Sequence, residues 1–182
     1  MTDAKPRELL VELYNVHLFP PLIEWMESCA APDSHLPNGK LRLETLIKAL
    51  RNTDADLVFL CEIWHTPYAN HVIKQLRDVW PYSLYPHPHW SNFSWIGSGL
   101  LFLSKIPIVS FEFTPFIRSA GADSWAEKGL LLIRLENGMK ILGTHLQAPY
   151  KKNHQTEVRL AQITQLTNLI SETPVDIVLG DF

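Results

Sequence analysis

The chain has 182 residues, of which 46% are hydrophobic and 19% charged, and a formal net charge of −3. That length supports one domain with a sizeable core, and the composition excludes a disordered or fibrous chain. The mild acidity argues against gripping nucleic acid by bulk positive charge, though not against a nuclease that sets metal ions against phosphate.

The start, "MTDAKPREL", has no apolar core of a secretory signal, and no apolar run approaches the roughly 20 residues of a membrane span. Cys29 and Cys61 do not resemble a disulfide framework, and Cys61 lies in an apolar run as a small buried hydrophobe. The expectation is a reducing, cytoplasmic compartment, unless an upstream signal has been removed.

In chain order, "LLVELYNVHL" reads as a strand, and "LFPPLIEWM" after it as a border of a cleft or a helix start with Pro in its first turn. "RLETLIKALR" is a helix with Leu43, Leu46, Ile47 and Leu50 at i, i+3, i+4 and i+7. "ADLVFLCEI" is a buried strand, and "YANHVIKQLRDVW" a helix with Val72, Leu76 and Val79 on one side. A loop rich in Pro and aromatics, "YPHPHWSNFSWIGSG", leads to two strands, "LLFLS" and "IVSFEF". "GLLLIRL" and "MKILGTHL" form a hairpin, because Asn137-Gly138 is a two-residue turn signal. "TEVRLAQITQLTNLI" is a helix expected to face Leu160, Ile163, Leu166 and Ile170 inward, and "VDIVLGDF" is a last strand. Hairpins mixed with helical crossovers predict sheets covered by helices, without internal repeats or linkers.

Alternate residues of a strand share a face, so parity tests what the strand ends carry. Val11 and Leu13 share theirs with Asn15 and His17, and Val58 and Leu60 with Glu62. Ile141 and Gly143 line up with His145, and Val175, Ile177 and Leu179 with Asp181. Each such residue alone is an ordinary strand end, since Asn, Asp and Glu commonly begin the next loop. Together they make a complementary set: two carboxylates and an amide oxygen for Mg²⁺ or another divalent cation, with an imidazole to serve a phosphate or leaving group. Gly180 before Asp181 would let a ligand approach the backbone.

The motifs "YNVHLFP", "LVFLCEIW", "SGLLFLSKIPI", "GADSWAEKGLL", "GTHLQA" and "VLGDF" stand in an order that resembles the endonuclease/exonuclease/phosphatase superfamily, and within it the neutral sphingomyelinase branch. The resemblance implies a four-layer α/β sandwich, DNase I-like, with two mixed sheets face to face and outer helices. It implies metal-dependent hydrolysis of a phosphodiester by water. Glu62 matches the metal-binding glutamate, and Asn15 the asparagine beside the metal. Asp181 matches the aspartate of Gly-Asp-x-Asn, which orients the nucleophile and contacts phosphate or metal. His145 matches the histidine of Thr-His-Leu, which stabilises phosphate or assists the leaving group. Lys128-Gly129 falls near the phosphate, although a solvated strand-edge lysine reads equally well.

The family's later Asp-His base has no counterpart, so residues 1–182 read as one domain of this type, truncated before its final strands. By that reading they are inactive alone and prone to self-association.

For the substrate, a phospholipid head group is the first expectation, since Trp90, Phe93 and Trp95, in a loop with Tyr82 and Tyr85, suit a water–lipid interface. The same rings read equally as a satellite core. A nuclease or inositol-phosphate phosphatase keeps the chemistry, but "YKKNHQ" is the only basic pair and gives no strong nucleic-acid signal. A truncated, non-catalytic interaction module is the third reading.

Overall fold

A computed structural model describes residues 8–30, 38–86, 96–148 and 153–182. Eight strands run β1 (Val11–Leu18), β2 (Leu57–Ile63), β3 (Tyr82–Leu84), β4 (Leu101–Ser104), β5 (Ile108–Pro115), β6 (Gly129–Leu135), β7 (Lys140–His145) and β8 (Ile177–Asp181). Four helices, α1 (Pro21–Ala30), α2 (Gly39–Asn52), α3 (Thr66–Leu76) and α4 (Asn153–Glu172), and a 3-10 turn at Gly121–Trp125 join them.

The strands form two four-stranded mixed sheets, β1-β2-β4-β3 and β5-β6-β7-β8. β1 is parallel to β2 and β7 to β8, while the other pairings are antiparallel. Three apolar clusters separate four layers. Leu43, Ile47 and Leu50 of α2 and Val72 and Leu76 of α3 pack on the outer face of the first sheet with Val58 and Leu60. Leu57, Phe59 and Cys61 meet Leu131, Ile133 and Ile141 between the sheets. Leu166, Leu169 and Ile170 of α4 cover Leu130 and Leu142 on the far side. This is the expected four-layer α/β sandwich. β2 is covered on both faces, so its sequence is a continuous apolar run rather than an alternation.

Several local readings need correction. Leu160 and Ile163 of α4 are exposed, and Gln155, Val158, Gln162 and Leu166 lie inward. The reason is polar. Gln162 accepts from the Gln147 N–H at 2.8 Å and donates to the Arg118 carbonyl at 2.9 Å, so α4 docks partly on loop backbone. β4 and β5 belong to different sheets, and the tight link through Lys105 is the crossover between them. β3 was not expected, and Tyr85 just after it is buried, its hydroxyl donating to the Ile63 carbonyl at 3.2 Å. Val175 precedes β8 and packs against α4's cluster, so only Ile177 and Leu179 share the inter-sheet face with Asp181. The Asn137-Gly138 turn forms as expected, with Gly138 at φ 86°. Trp90, Phe93 and Trp95 lie outside the described residues.

Two glycines let the sheets close on the site. A Cβ at Gly143 would overlap the Phe59 ring, and one at Gly180 the Thr144 carbonyl. Gly180 therefore serves strand packing against β7 rather than ligand approach. Gly143→Ala is expected to lower stability by about 1–3 kcal/mol, the usual cost of overpacking a filled core. An unchanged midpoint in thermal unfolding would contradict this account of the inter-sheet spacing.

Candidate active site

The site lies where β1, β2, β7 and β8 end. β7 and β8 pair in register, with His145 opposite Asp181, and both side chains follow strand parity into the space between the sheets. Glu62 does not. Val58 and Leu60, with which it was grouped, face the helices, and Cys61 already faces the other sheet. Glu62 reaches the site because its backbone is left-handed, at φ 64°.

The β1–β2 register shifts at the same place, between Asn15 and Leu18, and His17 is left-handed as well, at φ 47°. Left-handed backbone is unfavourable for residues other than glycine and persists where surroundings enforce it. Here a side-chain clamp does so. The Arg42 guanidinium of α2 donates to the His17 carbonyl at 2.6 Å and to Glu24 of α1 at 2.9 Å. The other Glu24 oxygen accepts from the Gly39 N–H at 3.2 Å.

Within the site, Asn15 Nδ2 donates to Glu62 Oε1 at 2.7 Å and to Asp181 Oδ2 at 2.8 Å. Its oxygen accepts from the His17 N–H at 3.3 Å instead of joining the carboxylates. Here the amide nitrogen, not the oxygen expected beside a metal, lies between the two carboxylates. A donor there offsets the repulsion of like charges.

His145 Nε2 lies 3.8 Å from Glu62 and 4.0 Å from Asp181. Glu62, His145 and Asp181 each present a ligand atom within 4.8 Å of the others. This mixture of two carboxylates and an imidazole fits a divalent cation. His145 Nδ1 is buried without a hydrogen-bond partner, which leaves Nε2 as the ring atom turned to the cluster.

Lys128, read as equally well a solvated lysine, is buried. Its ammonium donates to Asp123 at 2.9 Å and to the Leu146 carbonyl at 3.0 Å, and sits 3.3 Å from His145 Nε2. Asp123, in the 3-10 turn, also accepts from the Ala148 N–H at 3.1 Å. Phe19, Trp64 and His145 form a chain of rings, with centroids 6.1 and 5.8 Å apart.

These contacts set the charge states. Burial alone would raise the Glu62 carboxyl. Hydrogen bonds from His17 and Asn15, with the nearby imidazoles, outweigh it and hold the group at about 2. Burial first, and the Lys128 ammonium second, push His145 down to about 4 against the pull of Glu62 and Asp181. Burial pushes the Cys61 thiol up to about 12, which fits an inert core residue.

All five expected site residues therefore converge. Asp123, Arg42 and Glu24 were not singled out, and His17 was grouped with the site only by parity. The first lay in plain view within "GADSWAEKG", whereas the clamp joins residues whose pairing has no local pattern. A separate groove of about 830 Å³ between α3, β3 and β5, flanked by Lys74, Arg77, Tyr82 and Phe111, shares no residue with the site.

Comparison with known proteins agrees with this architecture. Residues 13–182 match the Endonuclease/Exonuclease/phosphatase family. The chain belongs to that family. Sphingomyelin phosphodiesterase 5 of Danio rerio is 26% identical over 192 residues, covering 85% of this chain and 35% of the relative. Sphingomyelinase C of Listeria ivanovii is 24% identical over 190 residues, covering 94% and 53%.

Among solved structures, SmcL superposes with a TM-score of 0.72 at 24% identity, over 95% of this chain and 62% of that one. A hairpin-deletion mutant of beta toxin from Staphylococcus aureus gives 0.77 at 17% identity, over 96% and 66%. The chain thus spans about a third to a half of the length of these curated relatives.

Proposed function

We propose that the chain carries the cation- and phosphate-binding part of a metal-dependent phosphodiesterase acting on a sphingomyelin-like lipid. The observation that carries this reading is the convergence of Glu62, His145 and Asp181 from three strands of two sheets, with buried Lys128 beside them. The names of the relatives support the lipid, and a beta toxin structure with bound magnesium ions supports Mg²⁺ as the cation.

Glu62 and Asp181 would hold the cation. When bound, it stabilises developing phosphate charge and makes water a better nucleophile. The protein's own groups do the rest. Asn15 fixes the two carboxylates relative to each other. Asp181 orients the attacking water, and Lys128 places a positive charge where a phosphate oxygen can sit. His145 is neutral near pH 7, so Nε2 is available as a lone pair toward the same space. We assign no general base within the described residues.

Glu62→Gln tests the reading, because it keeps the shape and the Asn15 contact but removes the charge. Mg²⁺ affinity measured by calorimetry is expected to fall on the order of a hundredfold, since a ligand is lost rather than an outer support, whose loss costs about 10–100-fold. Hydrolysis of sphingomyelin by the protein carrying these residues should fall with it. Mg²⁺ binding that survives the substitution would remove Glu62 from the site. Preference for an oligonucleotide or an inositol phosphate over sphingomyelin would move the protein to another branch of its family.

A further inference from the structure

Helix α1 leaves the site directly after Phe19 and has two unlike sides. Inward, Glu24 holds Arg42 and the start of α2. Outward, Leu22, Trp25 and Met26, at i, i+3 and i+4, are 68%, 64% and 57% exposed. The loop before β6, which carries Asp123 and leads to Lys128, exposes Ile117 at 88% and Trp125 at 66%. Apolar groups of this size are usually buried, and contiguous exposure of them marks an interaction surface.

We propose that α1, together with Ile117 and Trp125, is an interfacial element that inserts into a zwitterionic lipid surface beside the site. The proposal rests on the lipid-hydrolase reading above, and three observations favour a bilayer over a protein. A ten-residue helix is only about 15 Å long, so its outer stripe falls well short of the roughly 800 Å² per partner in a stable protein interface. Each apolar group adjoins the site, α1 through Phe19, whose ring meets Trp64 beside His145, and Trp125 through Asp123, which holds Lys128, so a lipid whose phosphodiester enters that site brings its bilayer toward both. Trp and Leu on one side of a short helix suit the boundary between head groups and acyl chains.

The charge pattern selects the kind of membrane. "PLIEWMESCA" has two glutamates and no lysine or arginine, so α1 has no basic face with which to seek anionic lipid. Arg118 is exposed beside Ile117, and Arg42 is committed to Glu24 and His17. Adhesion therefore comes from apolar insertion, and it should be nearly indifferent to salt.

Co-sedimentation with vesicles of phosphatidylcholine and sphingomyelin tests this without requiring turnover. The chain is expected to bind, and Leu22→Ser, Trp25→Ser and Met26→Ser together should weaken partitioning about tenfold or more. Binding should change less than about twofold between about 0.1 M and 1 M salt, although screening there shortens from about 10 to 3 Å. If the triple variant folds poorly by circular dichroism, Ile117→Ser with Trp125→Ser in the loop before β6 should still weaken binding about threefold or more.

Undiminished binding by both folded variants would overturn the proposal, as would loss of wild-type binding in high salt. So would a dimer in solution that the triple substitution dissociates, since the stripe would then be an interface between copies. Vesicle binding through α1 by a protein carrying these residues that prefers a water-soluble phosphodiester over sphingomyelin would keep the surface and sink the substrate reading instead.

Discussion

Replacing Arg42 by methionine is expected to lower the unfolding free energy by about 3 kcal/mol and to weaken Mg²⁺ binding at a site that Arg42 does not touch. The first effect follows from burial. Arg42 and Glu24 are mostly covered, and removing one partner of such a pair strands the other charge in a poor solvent. The His17 carbonyl also loses its donor, and the Gly39 N–H comes to rest against a carboxylate that no longer has a cation.

The second effect follows from position. That carbonyl belongs to a left-handed residue whose ring contacts Glu62 at 3.1 Å. If the bulge relaxes, Glu62 loses a hydrogen bond that keeps it ionised and oriented. Thermal melts and calorimetry on Arg42→Met and Arg42→Lys, with Arg51→Met as control, separate the two effects. Arg51 pairs with Asp78 in open solvent, where ion pairs contribute little, so its loss should leave both readouts unchanged. A destabilised Arg42→Met that binds Mg²⁺ as well as wild type would confine the clamp to folding.

The contrast between Glu62 and His145 shows what a sequence can reveal about such a site. His145 and Asp181 obey strand parity to the last residue, so the alternation of "ILGTH" and "DIVLGD" already places them between the sheets. Glu62 reaches the cluster expected of it, but not by the face that parity assigns. Parity groups it with Val58 and Leu60, which meet helices, and only a left-handed backbone swings it across. Nothing local in "LCEIW" announces that turn, because Arg42, 20 residues away, holds the adjoining bulge.

The same limit explains α4. Its apolar periodicity suggested Leu160 and Ile163 as core, yet Gln162 and Gln165 face inward because loop carbonyls and N–H groups need partners there. α2, and β2 as far as Cys61, bury ordinary apolar faces and were legible. Lys128 could be read as solvated or phosphate-binding from sequence, and its burial beside His145 excludes the solvated reading.

In chelator-treated protein, stability is expected to fall in two separate steps as the solution is acidified, and each step belongs to one site residue. His145 titrates near 6.5 when unfolded and near 4 when folded, mainly because burial and then Lys128 disfavour its charge. Between those values the unfolded chain takes up a proton that the folded chain refuses. Stability is therefore unaffected above about pH 6.5 and drains away as pH falls toward 4, by about 3 kcal/mol for a drop of that size.

Glu62 acts lower down. Its carboxyl moves from 4.5 to about 2 on folding, because the hydrogen bonds from His17 and Asn15 outweigh burial. Its contribution is complete above about pH 4.5 and is lost as pH falls toward 2. Urea unfolding across pH 3–7, compared with His145→Gln and Glu62→Gln, resolves the two. The first substitution should flatten the upper step and the second the lower, and because Glu62 pulls the His145 value up, Glu62→Gln should also deepen the upper step. If His145→Gln leaves the slope between pH 6.5 and 4 unchanged, the imidazole is not held neutral by its burial beside Lys128. The imidazole would then titrate near its ordinary value, and its lone pair would be lost to protonation below about pH 6.5 instead of about pH 4.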